Sequence, residues 1–95
     1  MITSISVSEF LKLKNPNVID IRDFQKYNDN HIPNARNIKL EQLIARPSLF
    51  LKKDETYYIY CTYGKKSLHL CQILNQLGYK TVSISGGYES WILER

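Results

Sequence analysis

Apolar positions along the chain recur with two different spacings. Short runs of crowded β-preferring residues alternate with longer stretches in which apolar side chains return every three or four positions. The first kind reads as strands buried on both faces, the second as helices with one apolar side. "TSIS" (3–6) is a first strand. In "SVSEFLKLK" (6–14), Ser6 and Glu9 stand at capping-box spacing, and Val7, Phe10, Leu11 and Leu13 supply an apolar helix face. "NVIDI" (17–21) is a nearly continuous apolar strand carrying Asp20 towards its end, and the polar "RDFQKYNDN" (22–30) after it is compatible with a helix.

Further on, "ARNIKL" (35–40) suggests another short strand. "LEQLIARPSLFL" (40–51) reads as a helix or two helical turns interrupted at Pro47, because the residue before a proline is pushed out of the helical region. "ETYYIYC" (55–61) is the clearest strand, rich in tyrosine and isoleucine and preceded by the turn-like "KKD". "KKSLHLCQILNQLG" (65–78) places Leu70, Cys71, Leu74 and Leu77 on one helix face and ends at Gly78, a natural C′ residue. "KTVSIS" (80–85) is the last strand, and "GGYESWILER" (86–95) a glycine turn into a closing helix.

Strands alternating with helices over the whole length predict an α/β fold, with about five strands in a parallel sheet and helices on both faces. Neither a repeat nor a linker-like tract interrupts the pattern, so residues 1–95 read as one domain. Ligands of such sheets sit beyond the carboxyl ends of the strands, which is where Cys61 falls.

The composition, 43% hydrophobic and 23% charged, is that of a globular domain. A net charge of +4 is scattered along the chain, not gathered into a stripe, which argues against a nucleic-acid partner. No apolar run approaches the roughly 20 residues of a membrane span, and "MITSISVSEF" lacks the pattern of a signal peptide, so no membrane partner and a cytoplasmic location are expected. The two cysteines, Cys61 and Cys71, are expected as free thiols and lack zinc-site spacing; Gly86 and Gly87 are not a dinucleotide fingerprint. No metal and no cofactor is expected.

The chemistry concentrates after the clearest strand. If that strand ends at Cys61 and a helix starts near Lys66, Thr62 to Lys65 form a tight loop with free N–H groups at a helix N-terminus, a cradle for an anion. The helix dipole, Lys65 and Lys66 would favour a thiolate, and comparable surroundings lower a cysteine pKa from about 8.5 to roughly 3.5–7.5. Gly64 would let the backbone approach the sulfur or take a positive φ. The competing reading makes Cys61 a small buried apolar side chain.

"CTYGKKS" resembles the Cys-x-x-Gly-x-Arg-Ser loop of single-domain rhodanese-like sulfurtransferases, matched by Cys61, Gly64 and Ser67, with Lys66 where arginine is usual. The likeness continues in "VIDIRDFQKYNDNHIPNARNI", similar to the family's Asp-x-Arg, His-Ile-Pro-Gly-Ala and Asn-Ile segments, and in "LGYKTVSISGGYESW". The resemblance implies the rhodanese fold and a ping-pong transfer of sulfane sulfur. Cys61 would attack a small anionic donor such as thiosulfate, carry the sulfur as a persulfide, and pass it to cyanide or a thiol. A sulfur-trafficking protein would be a fitting partner.

On that reading Thr62, Tyr63, Gly64, Lys65, Lys66 and Ser67 form the substrate-binding loop, and Arg22 is a candidate donor contact. Four residues separate Cys61 from Lys66, whereas phosphatases and arsenate reductases of the same fold place five there, so the loop favours a sulfur substrate. Lysine offers a flexible point charge where arginine offers a planar fork, which leaves a catalytically weak binding or redox-regulatory module as the alternative. Asp20, His31 and Cys71 read as structural, Asn34 as a left-handed turn residue in place of the family's glycine, Trp91 as packing and His69 as exposed.

Overall fold

The computed structural model describes residues 3–95. Its elements run β1 (Ser4–Ile5), α1 (Val7–Phe10), β2 (Asn17–Asp20), α2 (Phe24–Asp29), β3 (Arg36–Asn37), α3 (Leu40–Ala45), a 3-10 turn (Pro47–Leu49), β4 (Thr56–Tyr60), α4 (Lys65–Gln76), β5 (Lys80–Ile84) and α5 (Gly87–Glu94). The five strands form one sheet in the order β1-β5-β4-β2-β3, with every pairing parallel.

Alternation along the strands divides the core between the two faces. Ile19 of β2 and Tyr57 and Ile59 of β4 pack with Leu43 of α3 and Leu70, Cys71 and Leu74 of α4. Their neighbours Val18 and Tyr60 pack on the opposite side with Val7 and Phe10 of α1 and Tyr88 and Trp91 of α5. Helices therefore cover both faces, as the strand and helix pattern predicts.

Local signals set most boundaries. The Ser6 side chain accepts the Glu9 N–H while the Glu9 carboxylate accepts the Ser6 N–H, the expected reciprocal cap of α1. Arg46, before Pro47, sits at φ −142° and ψ 65°, separating α3 from the 3-10 turn. Gly78 ends the α4 segment at φ +97°.

Three apolar positions depart from the expected helix faces. Leu11 and Leu13 are 48% and 37% exposed because α1 stops at Phe10 and the chain turns away through Asn15 at φ 45°, so no further helical turn carries the stripe to the sheet. Leu77 is 49% exposed: it caps α4 where the backbone leaves helical geometry to enter β5.

The turn after α2 is tied down locally. His31 Nδ1 lies 2.9 Å from the Tyr27 carbonyl and its ring stacks on Tyr27, whose hydroxyl donates to the Ala35 carbonyl at 2.7 Å. Asn34 adopts φ 70°, the left-handed conformation that asparagine tolerates. His31 is thus structural, as expected.

The register of β2 against β4 fixes what meets at the carboxyl edge of the sheet. Asp20 pairs with Tyr60 where the two strands end, so the segments Ile21–Asp23 and Cys61–Tyr63 leave the sheet side by side.

Candidate active site

Beneath this edge lies a polar network that fixes the β2 exit. The guanidinium of Arg22 donates from Nε to both carboxylate oxygens of Asp20, at 3.2 and 3.0 Å, and from Nη2 to Oδ2 at 2.8 Å. Nη2 also donates to the Asn30 carbonyl, and the Arg22 N–H donates to Asp20 Oδ1 at 2.8 Å. Tyr60 donates its hydroxyl proton to Asp20 Oδ2 at 2.6 Å and accepts the Ile32 N–H. The Arg22 guanidinium lies 4.0 Å over the Tyr88 ring, a cation–π contact. Asp20 is fully buried, which a carboxylate tolerates only with such partners.

Cys61 comes directly after β4 and is 6% exposed. Its Sγ accepts the Gly64 N–H at 3.1 Å and the Ser67 N–H at 3.4 Å, with the Ser67 hydroxyl 3.5 Å away. Gly64 makes this possible at φ +99°, in the left-handed conformation, as the N-cap of α4. The helix starts at Lys65, the first residue of the expected 65–78 segment.

Burial by itself raises the Cys61 pKa. The Ser67 hydroxyl, the Ser67 and Gly64 N–H groups and, last, the Tyr63 N–H outweigh it, and the thiol lies below its ordinary value. The loop N–H groups thus form the expected anion cradle, joined by the Ser67 hydroxyl, and the ammonium groups of Lys65 and Lys66 are not among the groups that lower the thiol. Both lysines are exposed, where solvent weakens their pull on a sheltered sulfur.

The glycine pair after β5 packs against this loop. A Cβ on Gly87 would lie 2.4 Å from the Cys61 carbonyl oxygen, and one on Gly64 would lie 2.9 Å from the Gly86 nitrogen. Gly86 and Gly87 thus meet the cysteine loop itself. The first turn of α5 donates the Tyr88 and Glu89 N–H groups to the carbonyls of Cys61 and Thr62.

Cys61 lines a cleft of about 490 Å³. Thr62, Tyr63, Lys65 and Lys66 form one side, and Ile21, Arg22, Asp23 and Lys26 the other. Tyr63 stands at the rim, 73% exposed. Lys26, Lys65 and Lys66 have no carboxylate within ion-pair distance among the described residues. Arg22 reaches the cleft but commits most of its donors to Asp20 and Asn30.

Sequence reasoning missed Lys26, which comes to the cleft only because β2 and β4 are neighbours. It also missed Ser83, whose hydroxyl lies 2.7 Å from that of Ser67. A signal existed for Ser83: it follows Thr81 by two positions, so the two polar residues share one face of the strand, and both are buried. Cys71 is fully buried in the α4 core and His69 is exposed, as expected. Among the described residues, no group of three or more His, Cys, Asp or Glu side chains is placed to hold a metal ion, and no helix is long and apolar enough to cross a membrane.

Comparison with known proteins agrees with this fold. The family model described as the rhodanese-like domain matches residues 6–94. The chain is 31% identical to a thiosulfate sulfurtransferase, GlpE, of Coxiella burnetii over 91 residues, covering 95% of this chain and 84% of that protein. It is 31% identical to a putative sulfurtransferase, YtwF, of Bacillus subtilis over 74 residues, covering 78% of this chain and 71% of the relative. A rhodanese-related protein from Thermoplasma volcanium superposes with a TM-score of 0.87 at 30% identity, covering 97% of this chain and 92% of that one.

Proposed function

The chain belongs to the rhodanese-like domain family, and from that premise we propose that it is a sulfurtransferase that carries sulfane sulfur as a persulfide on Cys61. The observation that carries this reading is the Cys61 sulfur itself. It is buried, receives N–H bonds from Gly64 and Ser67, and opens on a cleft bearing three lysines free of carboxylate partners among the described residues. Preorganised donors of this kind hold an anionic sulfur without a dedicated base.

With thiosulfate as donor, the Cys61 thiolate attacks the outer sulfur. A sulfur–sulfur bond to Sγ forms as the bond to the sulfonate sulfur breaks, and sulfite leaves with the electron pair. Lys26, Lys65 and Lys66 favour the dianion's approach and offset charge on the departing sulfite. A thiolate or cyanide then attacks the outer sulfur of the persulfide, takes it as a persulfide or thiocyanate, and returns Cys61 as thiolate. The loop donors serve the anion at both stages. Both thiols stay reduced in a cytoplasmic setting, which suits this cycle, and a sulfur-trafficking protein could supply the acceptor thiol.

Thiosulfate:cyanide turnover by the wild type and Cys61→Ala, with intact mass after donor treatment, tests the proposal. Turnover only in the wild type and the gain of one sulfur atom at Cys61 are expected. Equal activity in both proteins, or no added sulfur with any sulfane donor, would overturn it. Lys66 in the place of the family's usual arginine favours a second reading, a binding or redox-regulatory module of low turnover. Persulfide formation without multiple turnover would identify it.

A further inference from the structure

Behind the cysteine loop two hydroxyls meet inside the core. Ser67 and Ser83 are both buried, at 0% and 1% exposure, and their Oγ atoms lie 2.7 Å apart. Ser67 Oγ can give its single proton to the Gly64 carbonyl at 3.2 Å or to Ser83 Oγ; the Cys61 thiol donates to it over 3.5 Å, and once ionised Sγ becomes a third acceptor. The Ser83 hydroxyl has Ser67 Oγ as its one partner among the described residues.

A hydroxyl carries one proton and can accept through its lone pairs. Were Ser67 to donate to Ser83, the Ser83 proton would be buried without an acceptor and the sulfur would lose a donor; an unmet buried donor costs about 1–3 kcal/mol. The reverse direction satisfies every group. Ser83 donates to Ser67, and Ser67 keeps its own proton for either the sulfur or the Gly64 carbonyl.

We propose that Ser83 is a positioning residue for the Cys61 sulfur: by donating to Ser67 it directs the Ser67 proton into the cysteine loop. Ser67 donates to the sulfur when Cys61 is a thiolate and turns to the Gly64 carbonyl when the sulfur is neutral. The thiol proton goes to solvent through the cleft as Cys61 ionises, while Ser67 keeps its own proton and exchanges one bond for another. A chain of hydroxyls ending on an anion also polarises along its length, which strengthens the last bond. The proposal rests on Cys61 being the reactive anion of sulfur transfer and adds a residue that does not touch substrate.

Around the sulfur stand Lys65 and Lys66 of α4, Arg22, Asp23 and Lys26 across the cleft, and Tyr63 of the loop. Tyr88 and Glu89 at the start of α5 and the buried Cys71 of α4 complete the titratable surroundings. None of them changes in Ser83→Ala or Ser83→Thr, so a shift in either variant reports the hydroxyl.

The test is the pH profile of Cys61 alkylation by iodoacetamide in the full chain without a sulfur donor, with the site identified by peptide mass and melting followed in parallel. Ser83→Ala should move the midpoint up by about half a pH unit, roughly a threefold slower reaction below it, and Ser83→Thr, which keeps the hydroxyl, should restore the profile. A Ser83→Ala protein that melts lower with an unmoved midpoint would reduce Ser83 to packing and overturn the assignment, leaving sulfur transfer intact. A shifted and rescued midpoint in a protein without sulfane turnover would instead uphold Ser83 and count against the proposed activity.

Discussion

Tyr88 donates its backbone N–H to the Cys61 carbonyl over 2.9 Å, so α5 holds the cysteine loop by its carbonyls while Gly64 and Ser67 turn their N–H groups to the sulfur. Close approach of the two backbones depends on Gly87, which sits at φ +63° with no room for a Cβ against the Cys61 and Thr62 carbonyls. Gly87→Ala is expected to push the loop off α5, destabilise the fold by about 1–3 kcal/mol and slow Cys61 alkylation about tenfold or more, since a lost charge-assisted bond is worth about 1.5–3 kcal/mol. Urea unfolding and alkylation rates measure both effects. A variant alkylated at the wild-type rate would show that the clamp does not shape the sulfur's surroundings.

The lowered Cys61 pKa has a kinetic and a thermodynamic consequence. Persulfide formation should rise with pH and level off below the ordinary thiol value of about 8.5. Stabilisation by the bound thiolate is fully present above that unfolded-state value and is lost as pH falls through the lower folded-state one, because between the two the unfolded chain holds the extra proton. The stability difference between wild type and Cys61→Ala should therefore grow with rising pH through that window. Denaturant midpoints at a series of pH values test it, and a difference independent of pH would contradict the lowered pKa.

Asp20 and Arg22 lead to a stability prediction independent of the sulfur. Arg22→Ala leaves a fully buried carboxylate without its guanidinium and should cost about 3–5 kcal/mol. Tyr60→Phe removes both the proton given to Asp20 and the acceptor of the Ile32 N–H, at about 1–3 kcal/mol. Arg22→Lys should recover only part of the loss, because an ammonium cannot span both carboxylate oxygens. In thermal or urea unfolding, Asp20→Asn combined with Arg22→Ala should destabilise less than the two separate losses together. Strict additivity would mean that the pair is not coupled.

The two thiols should be separable by reactivity. Burial pushes the Cys71 thiol up to about 11, only partly opposed by the Thr81 hydroxyl, whereas the loop donors lower Cys61. At neutral pH one equivalent of alkylating reagent should enter the folded chain, at Cys61, and a second only on unfolding. Mass spectrometry with and without denaturant decides this. Equal labelling of both cysteines in the folded protein would contradict the buried placement of Cys71.

The site residues legible in the sequence are those that chemistry requires close together in the chain. Cys61, Gly64 and Ser67 lie within one strand-to-helix turn, so spacing alone exposes the cradle. Capping at Ser6, the break before Pro47 and the stop at Gly78 are equally local, and they place most of the elements. What escapes such reading depends on distant pairing. Lys26 reaches the cleft only through the alignment of Asp20 with Tyr60, and Ser83 meets Ser67 only because β5 passes beneath α4. The N–H cradle is read correctly from spacing, but the sequence credits Lys65 and Lys66 with a share of thiolate stabilisation that the Ser67 hydroxyl takes, because side-chain direction is not visible in it. Leu11, Leu13 and Leu77 keep helix spacing beyond the point where the helix ends.

Lys66 gives the sharpest test of how well the site turns over. It lines the Cys61 cleft beside Lys65, and neither has a carboxylate partner among the described residues, so both charges are available to an anionic donor. An ammonium attracts thiosulfate without fixing its orientation, while a guanidinium can grip two sulfonate oxygens at once. Grip on the departing sulfonate strengthens as charge develops there, so the gain belongs to the transition state. Lys66→Arg should therefore raise kcat/KM for thiosulfate about tenfold, with most of the change in kcat, since one added charge-assisted bond is worth about 1.5 kcal/mol or more. Lys66→Ala should instead raise KM and, with one charge fewer to offset the departing sulfite, lower kcat as well, and added salt should lessen its difference from wild type. Steady-state kinetics of the three proteins would show whether lysine limits the reaction, and an unchanged kcat in Lys66→Arg would place the limit elsewhere in the cycle.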